Sequence, residues 1–547
     1  MKATQYILGV LALVVTTFTA CTKEDNSVVS ENNEVTLVTS LAPAPGINTK
    51  TVMNETSDGT ILTTWEVGDY IWVKYKNTSN EDVEAQATVT AVDGSGNATI
   101  SVTMTDPKDA STITFGFPYN YWHNDTDLKA NQIGTLENIK DNYAASSGTG
   151  TLTVSGGDAT LPTGVTMTPS ICIWKFSLKD GATDITSSVT TLSVFLGSDS
   201  GSEKYVVKPS SLEYIYVALN GSATPKYVSI AALTATKAYM KEKSGVTLAS
   251  GKLYRTEGLA MDEVHVFSVS DTKRVIIAPG NLQASYDGSN WTWNFATHQY
   301  DIIGVNSGNI AVNGKGTLST SSGTVDLFGF STSAPSYGID MGSGDYSGSF
   351  VDWGNNNIGG RGKNYWKTLS DPEWKYLTGK DEINHENYRK RGGQIVINTG
   401  GSTLAILNVL CTKATVNEIK GFIIFPDRYA GGTPSGVTWN TNTISNGNYA
   451  NSGAKGWGAT VTSAGWTNLE NAGCVFLPVG GFRYSNYLYF IEGGYGYTDD
   501  PTGYYASSSI YDDDENYCLR FSNDGFDPHN RTFKRYGISV RLVHELN

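Results

Sequence analysis

Nowhere does this chain hold a helical hydrophobic period for long; its apolar residues come in short alternating runs broken by Gly, Asn, Asp and Ser. Val35, Leu37, Thr39 and Leu41 alternate with Thr36, Val38 and Ser40. Ala87 to Ala91 and Ala98 to Met104 flank Asp93-Gly94-Ser95-Gly96 as a hairpin, and Thr112-Ile113-Thr114-Phe115-Gly116-Phe117-Pro118 continues the pattern. A second set runs through Cys172 to Leu178, Leu192 to Leu196 and Ser250 to Tyr254, with Cys172 expected as a small buried hydrophobe. A period of two sends alternate side chains to opposite faces, so segments of this kind are stable only as packed sheets joined by turns. The fold expected is mainly β, in sandwiches.

The first 21 residues set the destination. Met1-Lys2 precedes an apolar stretch from Tyr6 to Val15, then Thr16-Thr17-Phe18-Thr19-Ala20 and Cys21. The apolar core is too short to span a bilayer stably and reads as a secretory signal. A cysteine directly after the small residue is what lipoprotein processing requires, because its thiol carries the diacylglycerol. Residues 1–20 are therefore expected to be removed and Cys21 to become the acylated first residue, with 21–33 as a polar tether.

The chain has 547 residues, and acidic side chains outnumber Lys and Arg by 53 to 39, a net charge of -14. That balance argues against nucleic acid or anionic lipid as a partner, leaving the acyl group as the membrane link. The length calls for several cores. Arginine marks a boundary: only Arg255 lies before residue 263, while ten others follow, as do the eight tryptophans from Trp291 to Trp466. The units expected are 34–160, 161–262 and 263–547.

Between residues 34 and 262, the order of a lipidated Cys, a first strand, Trp65-Glu66-Val67-Gly68-Asp69 leading into Ile71 and Val73, the aromatic strand Phe115 to Pro118, and Ala249-Ser250-Gly251-Lys252-Leu253-Tyr254 resembles the fimbrillin family of type V pili. The resemblance implies two tandem transthyretin-like sandwich lobes, a place in the fimbrium at the outer membrane, and assembly with other pilus subunits by exchange of β-strands. In that family a trypsin-like protease removes the first strand. No arginine is available there; Lys50, in Asn48-Thr49-Lys50-Thr51, is the candidate processing site, the alternative being a plain surface lysine and a retained anchor.

From residue 263 the pattern changes to aromatic-rich strands among Gly, Ser and Asn loops. Ser370, Pro372 and Glu373 describe a helix start, with Trp374 and Leu377 on one face. Phe476-Leu477-Pro478, then Gly503-Tyr504-Tyr505-Ala506-Ser507-Ser508, then Arg535-x-Gly537-x-Ser539-Val540-Arg541 resemble, in order, the FISUMP-type domain related to the formylglycine-generating enzyme and to C-type lectins. This implies an irregular α+β, C-type-lectin-like domain with little regular secondary structure, in which Arg535 and Arg541 act as structural clamps.

Relatives of the formylglycine-generating type rely on two cysteines that bind copper. Cys474 and Cys518 lie inside alternating strands, where buried thiols or a cross-strand disulfide fit better than catalysis. The six histidines are isolated, with no H-E-x-x-H, so an enzyme is not expected. Asp512, Asp513 and Asp514 are the one cluster of hard oxygen ligands, a candidate Ca²⁺ site to which Asp499, Asp500, Asp524 or Asp527 would add, with a solvated loop as the plain reading. Tyr484, Tyr487, Tyr495, Tyr497 and Tyr511 are ligand-binding candidates, because tyrosine offers rigid amphipathic area to glycan or protein partners.

The function expected is that of a pilus tip-like or accessory subunit and adhesin with a recognition head. The alternative is a stand-alone surface lipoprotein that binds glycan or protein without polymerising.

Overall fold

The structure is a computed structural model, and it describes residues 34–42, 52–55, 61–124, 126–155, 158–287, 289–303, 323–334, 346, 348–379, 394–398, 403–407, 410–430, 432–439, 456–484, 487–489 and 501–547. It is mainly β. Among the described residues no helix is long and apolar enough to cross a membrane.

The front of the chain forms one eight-stranded sheet rather than two facing ones. Its strands alternate as their sequence does: in Ala98–Thr105 the residues Ala98, Ile100, Val102 and Met104 are buried. The sheet rolls until its ends meet, at Gly148 and Val165, where a Cβ on the glycine would come within 2.7 Å of a valine methyl. A glycine is required at that approach. Trp65-Glu66-Val67-Gly68-Asp69 is a turn: the Asp69 carboxylate accepts from the Glu66 amide at 2.9 Å, Gly68 takes a φ of +101°, and Trp65 packs edge-on to Phe117. The hairpin at Asp93 forms as its sequence suggests, with the carboxylate accepting from the Ser95 and Asn97 amides, both at 2.8 Å.

The second unit is a true sandwich. One sheet is built on Ile171–Asp180, with Ile215–Asn220 antiparallel and Leu253–Ala260 parallel to it; the other has five strands around Val189–Gly197 and Ser222–Thr234. Cys172 is buried in the core between them. The expected division at residue 160 is crossed twice. Val165–Thr166 and Thr168–Pro169 still pair in the first sheet. Leu128, Ile139, Tyr143 and Ala145 pack into the second core, and buried Gln132 staples that segment to Ala218 with hydrogen bonds to both its N–H and its C=O at 2.8 Å.

Beyond residue 266 the chain carries more regular β-structure than expected. Two five-stranded sheets and a four-stranded one surround two apolar cores, with helices at Asp371–Thr378 and Ser463–Asn471. The first helix starts as its sequence specifies: Ser370 and Glu373 form a reciprocal capping box, Trp374 and Leu377 are buried, and Gly379 closes it at φ +73°. The four-stranded sheet places Leu542–Glu545 between Arg274–Ile277 and Lys367–Thr368.

Candidate functional site

Two places carry the chemistry expected of the chain: the edge of the first strand, and the loops of the carboxy-terminal block.

The first strand, Glu34–Ala42, pairs antiparallel with Ala98–Thr105 from Glu34↔Thr105 to Leu41↔Ala98. On its other side its only strand pairing among the described residues is with Val165 and Thr166, opposite Leu41 and Ala42, and Asp158–Thr160 lies close by. Its departure would unpair the whole edge of Ala98–Thr105 and open the core lined by Ile100, Val102 and Met104. The strand at the other end of the chain is held differently. Leu542–Glu545 has a neighbour on each side, Ser193 donates to the Leu546 carbonyl at 2.7 Å, and the Lys204 ammonium donates to the Glu545 and Asn547 carbonyls at 3.1 Å. Burial pulls the Lys204 ammonium down to about 8, partly offset by Glu545.

Cys21, Lys50, Tyr495 and Tyr497 lie outside the described residues, as do Asp499 and Asp500. Tyr487 begins the strand Tyr487–Tyr489, its side chain outside the description. The other candidate tyrosines do not converge on one surface. Tyr484 is half-buried beside Tyr536, with Arg535 over its ring. Tyr511 is exposed at a hairpin tip, its ring 4.3 Å from the Arg531 guanidinium. Tyr504 and Tyr505 are buried in separate cores.

Asp512, Asp513 and Asp514 are exposed in the turn before Glu515–Ser522, and one carboxylate oxygen of Asp512 is engaged in holding that turn. Asp512 accepts from the Asp514 and Glu515 amides, and the Lys534 ammonium donates to the Asp513 carbonyl at 2.8 Å. Asp524 lies beyond the far end of Glu515–Ser522, eight residues that span roughly 25 Å at strand rise. Asp527 pairs opposite Arg520 towards that same end. Among the described residues no group of three or more His, Cys, Asp or Glu converges as a metal set, and no calcium chemistry is derived from this loop.

Cys474 and Cys518 are free thiols buried in different cores, so neither the disulfide nor a shared copper site joins them. Arg541 is the clamp its motif suggests. Wholly buried, it donates to the Asn281 amide oxygen at 3.0 Å and to the Ala278 and Phe476 carbonyls at 3.0 and 2.7 Å, tying three segments together. Arg535 lies over the rings of Phe533, Tyr536 and Tyr484.

Sequence reading passed over the seam where the second sandwich meets the carboxy-terminal block. There Glu242 receives the Arg361 guanidinium and the Tyr365 hydroxyl. Nothing local marks this pair, since the partners lie 119 residues apart; the only signal was the restriction of arginine to the second half.

No protein-family model matches the chain, and no curated protein matches it. Among solved structures it is similar to a fimbrial assembly protein of Parabacteroides distasonis, at 12% identity over 44% of this chain and 95% of that one, TM-score 0.24. A candidate cell adhesion protein of Bacteroides uniformis stands at 11% identity, 43% and 97% coverage and TM-score 0.24. One of Bacteroides ovatus stands at 12% identity, 42% and 94% coverage and TM-score 0.24.

Proposed function

We propose that this chain is a cell-surface fimbrial subunit of the tip-like or accessory kind, exported as a lipoprotein acylated at Cys21 and freed from that anchor by cleavage after Lys50, that takes a neighbour's strand at its front and presents its carboxy-terminal block for recognition. The observation supporting this is the unequal hold on its two outermost strands. Glu34–Ala42 is paired along its whole length on one side and, among the described residues, only at Leu41 and Ala42 on the other, over a strand with a buried apolar face. Leu542–Glu545 is enclosed on both sides. A strand of the first kind can be withdrawn and its place taken, because an incoming strand restores the backbone hydrogen bonds and covers the core. A strand of the second kind cannot be lent without opening its own sheet. The role is binding; chemistry of the formylglycine-generating type needs Cys474 and Cys518 together, and they are apart.

The test is to shear pili from cells that make them and sequence the amino terminus of the copy found there. The expected result is this chain in the fibre fraction, starting at Thr51. A fibre-bound chain that still carries acylated Cys21 would move it from tip to base. Absence from fibres with Cys21 intact would overturn the proposal in favour of the stand-alone lipoprotein, which the seating of Glu34–Ala42 in its own sheet favours.

A further inference from the structure

Between the strand Trp291–Phe295 and the loop from Asn355 to Lys363 the carboxy-terminal block opens into a groove of about 650 Å³, within the size of small-ligand sites. Trp293, buried, and Trp291, half-buried, both line it. Residues two apart on a strand share a face. Their indoles continue a ladder from the core outward: Trp353 to Trp293 at 5.9 Å between ring centroids, Trp293 to Trp291 at 6.1 Å, Trp291 to Tyr286 at 5.0 Å. A ring held this way is presented with little conformational entropy left to lose.

Apart from Val351 and Lys363, the remaining described lining is amide, hydroxyl and glycine. Among the described residues that line it there is no Asp or Glu, and Lys363 is the one charge, in a chain that carries 53 carboxylates. The exposed Asn355 amide and the Lys363 ammonium have no hydrogen-bond or ionic partner among the described residues. Asn357 is already committed: its amide donates to Asp199 of the second sandwich and accepts from Gly362 at 2.8 Å, which fixes the loop. At the lip, Gly360 has φ +74° and nothing lies within 4 Å of where its Cβ would stand.

From this geometry we infer that the groove binds an uncharged oligosaccharide, one sugar ring lying against Trp291 with its hydroxyls on Asn355 and Lys363. A pyranose has an apolar C–H face and a rim of hydroxyls that both donate and accept, the pairing that an indole beside amides provides. A purely apolar ligand would strand those amides without partners. A metal ion or a basic peptide would find no carboxylate among the described lining residues. The inference rests on the recognition half of the proposed function and names its ligand class.

The test uses the mature chain with Cys21→Ser, titrated by calorimetry with chitotetraose, cellotetraose and mannotetraose, and with 3′-sialyllactose as the anionic control. At least one uncharged tetrasaccharide is expected to bind saturably, with Trp291→Ala weakening it by about tenfold or more and Asn355→Ala by about threefold or more. Tyr511→Ala should leave binding unchanged. Asn355 is exposed, so its variant stays informative should Trp291→Ala disturb folding. Binding by none of the three, binding of sialyllactose alone, or binding indifferent to Asn355 and Trp291 would overturn the inference. No pilus subunit enters this assay, so its failure is separable from failure of the assembly reading.

Discussion

Arg361 meets Glu242 across the seam between the second sandwich and the carboxy-terminal block, Nη2 to Oε2 at 3.1 Å. Tyr365 and Tyr227 add hydroxyls around the same pair. Burial pushes the Glu242 carboxyl up, but hydrogen bonds from Arg361, Tyr227 and Tyr365 outweigh it and hold the group below its ordinary value. The two units are thus joined by a charge pair shielded on three sides by aromatic rings.

Glu242→Gln should loosen this seam. Both side chains keep some exposure, 25% and 31%, so the loss is expected at about 1 to 3 kcal/mol, below that of a wholly buried pair. A double-mutant cycle with Arg361→Gln in urea unfolding checks it; strict additivity would mean the pair contributes no coupling.

Acid should weaken the carboxy-terminal block through His544. Burial depresses its imidazole to about 4 from 6.5, and Nδ1–H donates to the Tyr365 carbonyl at 2.9 Å. The unfolded chain therefore takes up the proton first as pH falls. The stability is full above 6.5, drains away between 6.5 and 4, and amounts to about 3 kcal/mol. Glu545 acts lower: burial raises it, the Lys367 and Lys273 hydrogen bonds win and hold it at about 2, so its share fades only below 4.5. Unfolding measured from pH 7 to 4 should slope in the native chain and lose most of that slope in His544→Phe.

Arg541→Lys should be costly despite keeping the charge. A single ammonium cannot reach the Asn281, Ala278 and Phe476 oxygens at once. The expected loss is about 3 to 5 kcal/mol. It should be confined to the carboxy-terminal block, with hydrogen exchange in the eight-stranded sheet unchanged.

The thiols should be inert until the chain unfolds. Cys172, Cys411, Cys474 and Cys518 are free and buried, and burial pushes the Cys172 thiol up to about 12. In Cys21→Ser protein at pH 8, iodoacetamide should label none of them in buffer and all four in denaturant. Mass spectrometry counts the adducts, and any disulfide would lower the second number.

Local features were legible because their causes are local. The capping box at Ser370, the Asp93 turn and the buried position of Cys172 follow from neighbours a few residues away. The rolled first sheet was not legible, because alternation reports that a strand has a buried face and says nothing of which strand lies next to it. Its closing pieces, Val165–Thr166 and Thr168–Pro169, are too short to carry a period. Gln132 reads as a solvated polar residue until Ala218, 86 residues on, supplies its partners. Tyrosine direction is equally silent in sequence: adjacent Tyr504 and Tyr505 face different cores, while Tyr511 stands outside. Trp291 and Trp293 counted in the sequence only as two of the eight later tryptophans, because the amide wall opposite them comes from a loop some sixty residues further along the chain.

The place of Leu542–Glu545 between two much earlier strands has a consequence for how the molecule comes into being. Val275 cannot find Glu545 until nearly all of the chain has been made, and closing so long a loop is entropically expensive and slow. The two amino-terminal units have no such wait. Synthesis should therefore yield a chain whose leading part is folded while its trailing part is still open, and a product cut short by a dozen residues would forfeit its Arg541 clamp and its middle strand together.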